Sequence, residues 1–148
     1  MTDDTLKQAM RYFSADYNCS QSVLKSVLEG RGMDFDEIFN LAAGFGGGVG
    51  LQGNICGAVS GAVAALGVIN GKKFKEAKKH KAATYELVEK FMKMFEEKNG
   101  SIICDNLTGI TMSDKTQHDR AMEDGTFQKV CPGYVKDAVR IVLDLTRE

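Results

Sequence analysis

The chain has 148 residues, 43% of them apolar, enough to bury one hydrophobic core without disulfide staples or a partner chain. Nineteen Lys+Arg against twenty Asp+Glu leave a formal net charge of -1, so no basic field draws it onto nucleic acid or an anionic membrane, and neither partner is expected. A single proline with sixteen glycines suits helices punctuated by glycine turns, and the length suits one domain over 1–148.

Thr2 is placed to cap a first helix that carries Leu6, Met10, Phe13 and Tyr17 on one face. The acidic start, Thr2-Asp3-Asp4, has no apolar run behind it; we therefore expect no secretory signal and a cytoplasmic protein. Asn18 and Gln21 have the form of a capping box, which breaks the chain near Asp16 to Asn18 and opens a second helix with Val23, Leu24, Val27 and Leu28 up to Gly30. Asp34 and Glu37 repeat that logic ahead of Phe35, Ile38, Phe39 and Ala42, giving a short helix that stops at Gly44.

Gly44 to Gly53 is too rich in glycine for a regular helix and is read as a tight loop. From Asn54 the chain is apolar on nearly every side, and Gly53, Gly57, Gly61 and Ala65 form a stripe of small residues at four-residue spacing. The spacing predicts a central helix with a neighbour's backbone pressed against it. Leu41 to Asn70, though nearly uncharged, is broken by glycines and by Gln52 and Asn54, and its apolar half falls short of the ~20 residues of a membrane helix, so no membrane insertion is expected.

An amphipathic stretch follows Asn70-Gly71 and ends at Asn99-Gly100, with Val88, Phe91 and Phe95 near one face. Met92 and Met94 beside these phenylalanines read as core or interface filler. Ser101 is placed to cap a short helix through Cys104 and Leu107, and Thr111 to Gly125 is polar and weakly helical. Pro132 suits the first turn of a last helix with Val135, Ala138, Val139 and Val142. No segment alternates with period two, so the fold class is all-α: a compact bundle of about five to seven helices around the glycine-striped one.

Four cysteines, Cys19, Cys56, Cys104 and Cys131, fall in or beside the first turn of a predicted helix. There, unpaired N–H groups and the helix dipole favour a thiolate as ligand or nucleophile. Their even number implies no disulfide framework in a reducing compartment. Cys-x-x-Cys is absent, which removes thioredoxin-like sites and zinc knuckles, and the absence of Cys-x-x-Cys-His removes c-type haem attachment. Cys56, between a glycine loop and a helix start, is expected to have the best supported sulfur, and Cys131, beside the N–H-less Pro132, a weaker one.

Asn18-Cys19-Ser20-Gln21, the glycine run leading into Cys56-Gly57-Ala58-Val59-Ser60-Gly61, Cys104 with Leu107, and Cys131 before the last helix together resemble a redox-active four-cysteine family. That family is named for its pattern of Cys, Cys-Gly-Ala-x-x-Gly, Cys and Cys. The resemblance spans the chain from Cys19 to the last helix. It implies a small helical redox protein related to a domain of the split-Soret cytochromes, which carry iron–sulfur and haem centres; without the attachment motif the haem part does not carry over.

Three uses of the cysteines stay open. Together Cys19, Cys56, Cys104 and Cys131 could hold an iron–sulfur cluster or, as the alternative, zinc. Two of them could pair as a reversible disulfide. All four could instead be inert, packed thiols in a binding or scaffold module. The first use predicts sulfurs converging on one site, an unidentified redox protein as partner, and leaves homo-oligomers open; no catalytic residue is assigned.

Other signals are weaker. Gly48-Val49-Gly50-Leu51-Gln52-Gly53 matches a dinucleotide fingerprint but follows no predicted strand. The run Lys72-Lys73-Phe74-Lys75 to Lys81 reads first as a solvated face, with docking of an acidic redox partner as the alternative. His80 and His118 lie in polar segments and read as surface residues.

Overall fold

The computed structural model describes residues 2–147, and among these the chain forms eight α-helices and no strand, only one isolated bridge between Ile55 and Ile103. α1 (Thr2–Ser14) stops before Asp16, whose φ of 72° ends the helix where the sequence places the break. α2 (Cys19–Gly30) opens under the predicted capping box: the Gln21 N–H donates to the Asn18 side chain and the Asn18 N–H to the Gln21 side chain, both at 2.9 Å. α3 (Ile38–Ala42) starts later than expected and no side chain caps it. Asp34, the predicted cap, is taken instead by Lys25 in an ion pair at 3.0 Å. A 3-10 turn at Ala43–Phe45 then leads into the glycine loop.

α4 (Gly57–Asn70) is the predicted central helix, in contact with α2 and with the two long helices that follow. Ala58, Val59, Ala62, Ala65 and Leu66 are fully buried in it. α5 (Ala77–Asn99) begins inside the lysine run, at Ala77, rather than ahead of it. It buries Phe91 and Phe95, and Gly100 ends it at a φ of 85°. α6 (Cys104–Thr108) starts three residues after Ser101, whose hydroxyl accepts the Ile103 N–H in the preceding turn at 3.0 Å.

α7 (Lys115–Asp124) raises the helix count one above the expected range. Asp114 caps it by accepting the Gln117 N–H at 3.1 Å, and Gly125, at a φ of 72°, closes it. α8 (Thr126–Leu145) corrects the sequence reading: it begins ahead of Cys131 and holds Pro132 inside. Proline withholds an N–H from the Gln128 carbonyl, at a cost of about 3 kcal/mol, but α8 buries Val135, Ala138, Val139 and Val142 completely, and such side chains return ~1.5–3 kcal/mol each for the larger ones. Packing therefore extends the helix through the proline. No helix among the described residues is long and apolar enough to cross a membrane.

The small-residue stripe works as a backbone contact at two of its four positions. A Cβ at Gly61 would stand 2.6 Å from the Ser20 carbonyl oxygen, and one at Gly57 3.1 Å from the Ser20 nitrogen, so α2 and α4 touch main chain to main chain. Gly53 lies outside the helix, in the loop, at a φ of 76°. Gly61→Ala should thus cost about 1–3 kcal/mol and lower the thermal midpoint by several degrees. Gly133→Ala on α8, where a Cβ meets nothing within 4 Å, should be neutral or raise it. Thermal denaturation followed by circular dichroism checks both, and equal midpoints would contradict the tight crossing.

Candidate functional site

Three of the four cysteines stand at helix starts as expected: Cys19 is the first residue of α2, Cys56 the N-cap of α4 and Cys104 the first residue of α6. Cys131 departs from that placement and sits inside α8. All four nevertheless line one cavity of about 270 Å³.

Each is positioned by a local device. The α2 start is tied to the segment before the glycine loop, since the Asn18 amide donates to the Ala43 carbonyl at 2.9 Å and the Gln21 amide to the Phe39 carbonyl at 2.8 Å. Gly57 admits α2 against α4; a Cβ there would lie 3.3 Å from the Cys19 Cβ. Cys56 and Cys104 flank the isolated bridge. The Cys56 N–H donates to the Ile102 carbonyl at 2.8 Å and the Cys104 N–H to the Asn54 carbonyl at 2.6 Å, so two helix starts are stitched side by side.

The glycine loop then closes over them. Gly48, at a φ of 73°, leaves room where a Cβ would come within 2.8 Å of the Cys104 Cβ. Asp105 packs its carboxylate against Gly53 and accepts the Met112 N–H at 2.9 Å, linking the loop, α6 and the chain ahead of α7. The Gly48 to Gly53 fingerprint is spent on this closure, with no strand ahead of it.

Burial dominates the electrostatics. It pushes the Cys56 thiol up to about 11 and, with the sulfurs of Cys56 and Cys131 and the Asp105 carboxylate adding to it, the Cys104 thiol up to about 12. The N–H groups of Ala58 and Val59 point toward the Cys56 sulfur and favour its thiolate, but they close no capping hydrogen bond and burial outweighs them. The Cys19 thiol, offered as proton donor to the Cys131 sulfur, holds Cys131 below the ordinary thiol value despite burial. The same interaction, burial and the other sulfurs together drive Cys19 well above it. The expected ranking of proton affinity is thus reversed: Cys131, not Cys56, is the most acidic of the four.

The cavity wall includes residues that the sequence reading passed over. His118 lines it with its ring 5.5 Å from that of Phe127 and its side chain only 21% exposed, so it is no free surface histidine. His80 is also tied down, its Nε2 2.7 Å from the Gly67 carbonyl. Tyr134 faces the thiols and donates its hydroxyl to the Leu107 carbonyl at 2.8 Å; burial and the Cys131 and Cys56 sulfurs raise its pKa. Tyr17 also lines the cavity, stacked on Phe39 with ring centres 3.8 Å apart. Leu107, Met112 and Phe127 add apolar wall, beside the polar Asp16, Asn18, Thr108 and Gln128. The four cysteines are free thiols, and no three His, Cys, Asp or Glu side chains among the described residues are grouped so as to hold one metal ion.

No curated protein and no solved structure matches the chain. One family does: that described as "Putative redox-active protein (C_GCAxxG_C_C)" matches residues 17–145. The pattern in that description puts Gly before Cys, whereas this chain reads Cys56-Gly57-Ala58-Val59-Ser60-Gly61, with the Ala and the second Gly at the same spacing. The match covers most of the chain and encloses Cys19, Cys56, Cys104 and Cys131, and the protein belongs to this redox-active four-cysteine family.

Proposed function

We propose that the four-thiol cavity is a redox centre whose cysteines hold an iron–sulfur cluster as thiolates and exchange electrons with a partner protein. One observation carries this reading: cysteines from four separate helices line a single cavity, where scattered core pockets would have favoured inert thiols. The donor set fits, because such clusters take four cysteine ligands. The arrangement is also two by two, Cys19 facing Cys131 and Cys56 stitched beside Cys104, with no cage for one ion among the described residues. That suits a group with more than one metal better than zinc, whose ligands surround a single ion.

Bound there, a cluster supplies one-electron transfer. The chain's own part is to give up the thiol protons, to turn the Ala58 and Val59 N–H groups toward the Cys56 sulfur, and to set the thiols among the apolar side chains of Leu107, Met112 and Phe127. Free thiols also suit a reducing cytoplasm.

A second reading rests on the acidity of Cys131: with no metal, Cys19 and Cys131 would act as a dithiol. The Cys131 thiolate and the Cys19 thiol would lose two electrons and one proton to a disulfide-class oxidant and form one disulfide bond, while the oxidant's disulfide is reduced to one thiol and one thiolate.

Anaerobic reconstitution with iron and sulfide separates the readings. The first predicts visible charge-transfer absorption with bound iron and sulfide, lost or halved in Cys56→Ser and Cys131→Ser. Loading should improve as pH rises, because raised thiol pKa values mean that binding releases protons. A colourless, iron-free protein would overturn it.

Alkylation of the metal-free reduced protein ranks the thiols. Cys131 should react fastest, with its rate rising through a midpoint below that of an ordinary thiol, and Cys56 and Cys104 slowest, a spread of about tenfold or more at pH 8. Cys19→Ala removes the proton donor and should slow Cys131. Peptide mass spectrometry reads each site, and unchanged Cys131 kinetics in that variant would contradict the assignment.

A further inference from the structure

We infer a second ligand site at the other end of the bundle: a basic cavity, bounded by Arg31, Lys72, Lys73 and Arg147, that takes a soluble phosphate-bearing small molecule. The cavity has a volume of about 530 Å³, within the usual range of small-molecule pockets, and no carboxylate among the described residues lines it. It is remote from the thiols. Cys19 begins α2 and Arg31 follows its end, and a helix of that length spans about 18 Å.

Arg31 is the informative residue. Its Nη2 donates to the Thr146 carbonyl at 3.0 Å and to the Thr146 hydroxyl at 2.5 Å, capping α8, yet its Nε is buried without any hydrogen-bond partner. A buried guanidinium N–H left unpaired is costly; the atom is closed to solvent as the side chain stands, and a turn of Arg31 toward the cavity would let a phosphate oxygen satisfy it. Lys72 and Lys73 are exposed and carry no ion pair among the described residues; only Arg147 is engaged, by Asp144 at 2.6 Å.

Helix ends alone do not account for so many cations. α2, α4 and α8 all finish here, and each C-terminus presents about half a negative charge, roughly one and a half in all. Arg31, Lys72 and Lys73, three cations without an ion pair among the described residues, exceed that. The floor, Met33, Ile69 and Leu143, is apolar, which suits a ligand with a carbon body and an anionic end. A phosphate accepts hydrogen bonds on several oxygens at once and so matches a forked guanidinium flanked by lysines.

Pyrophosphate is the probe, titrated into the full chain at low ionic strength with binding read by equilibrium dialysis and thermal midpoint. We expect saturable one-to-one binding that raises the midpoint, weakened about tenfold or more in Lys72→Gln/Lys73→Gln, with cysteine alkylation rates unchanged by the ligand. Arg31→Gln should lose it too; if that variant fails to fold for want of its α8 cap, the lysine pair, exposed and unpaired, still decides. Non-saturable binding, an equal midpoint rise with chloride at matched ionic strength, or undiminished affinity in the lysine variant would overturn the site. Association with phosphatidylglycerol vesicles but not with pyrophosphate would overturn the soluble ligand.

Discussion

The contact between the α2 and α4 backbones at Ser20 and Gly61 sets the geometry on which the thiol cavity depends. Side chains normally hold helix axes ~8–10 Å apart; with only hydrogen on the Cα of Gly57 and Gly61, these two approach until main-chain atoms meet. Cys19 and Cys56 stand at the paired starts of the two helices, so the crossing brings them to one place. A bulkier stripe would keep the fold's outline and still separate the sulfurs. The isolated bridge adds Cys104 by hydrogen-bonding its backbone to that of Asn54, and α8, packed on both helices, brings Cys131 from the remaining side.

The same crossing gives the bundle a polarity. α2 and α4 start at the thiols and finish at the basic cavity, and α8 carries Cys131 near its start and Thr146 just past its end. Partial positive charge therefore gathers around the sulfurs and partial negative charge around the arginines and lysines. Each end is matched in sign to what it carries: helix starts favour thiolates, helix ends favour cations. Soft, apolar-walled chemistry at one end and hard, charged chemistry at the other follow from one arrangement of helix directions.

Where a feature depends on residues close in the chain, it is legible in the sequence. Asn18 with Gln21, Gly100 after α5, and Gly57 with Gly61 each act within a turn or two, and the structure uses them as their spacing predicts. Features that depend on distant partners are not legible. Asp34 looks like a cap until Lys25 takes it, and Pro132 looks like a helix start until the burial of Val135 to Val142 carries α8 past it. His118 lies in a polar segment whose orientation is decided by the packing of α7 on α8. The site was accessible through cysteine placement and family pattern, but its wall and its order of acidity were not, because both depend on which groups meet across the cavity.

That order of acidity follows from burial more than from helix position. A helix start lowers a thiol's pKa while its sulfur remains near water, and Cys56, with two N–H groups turned toward it, has the favourable geometry. Yet its residue is only 4% exposed, and withdrawing the developing charge from water costs more than those dipoles return. Cys131 lacks a helix start but has a neighbouring thiol, that of half-buried Cys19, which donates a proton toward its sulfur. In a cavity of this kind the other sulfurs, rather than the backbone, decide which thiol ionises first. Chemistry in the cavity is accordingly a property of the set: removing or oxidising one cysteine resets the proton affinity of the others, and any group that binds all four must displace protons held on Cys19 by the hydrogen bond to Cys131 and by burial, and on Cys56 and Cys104 by burial first.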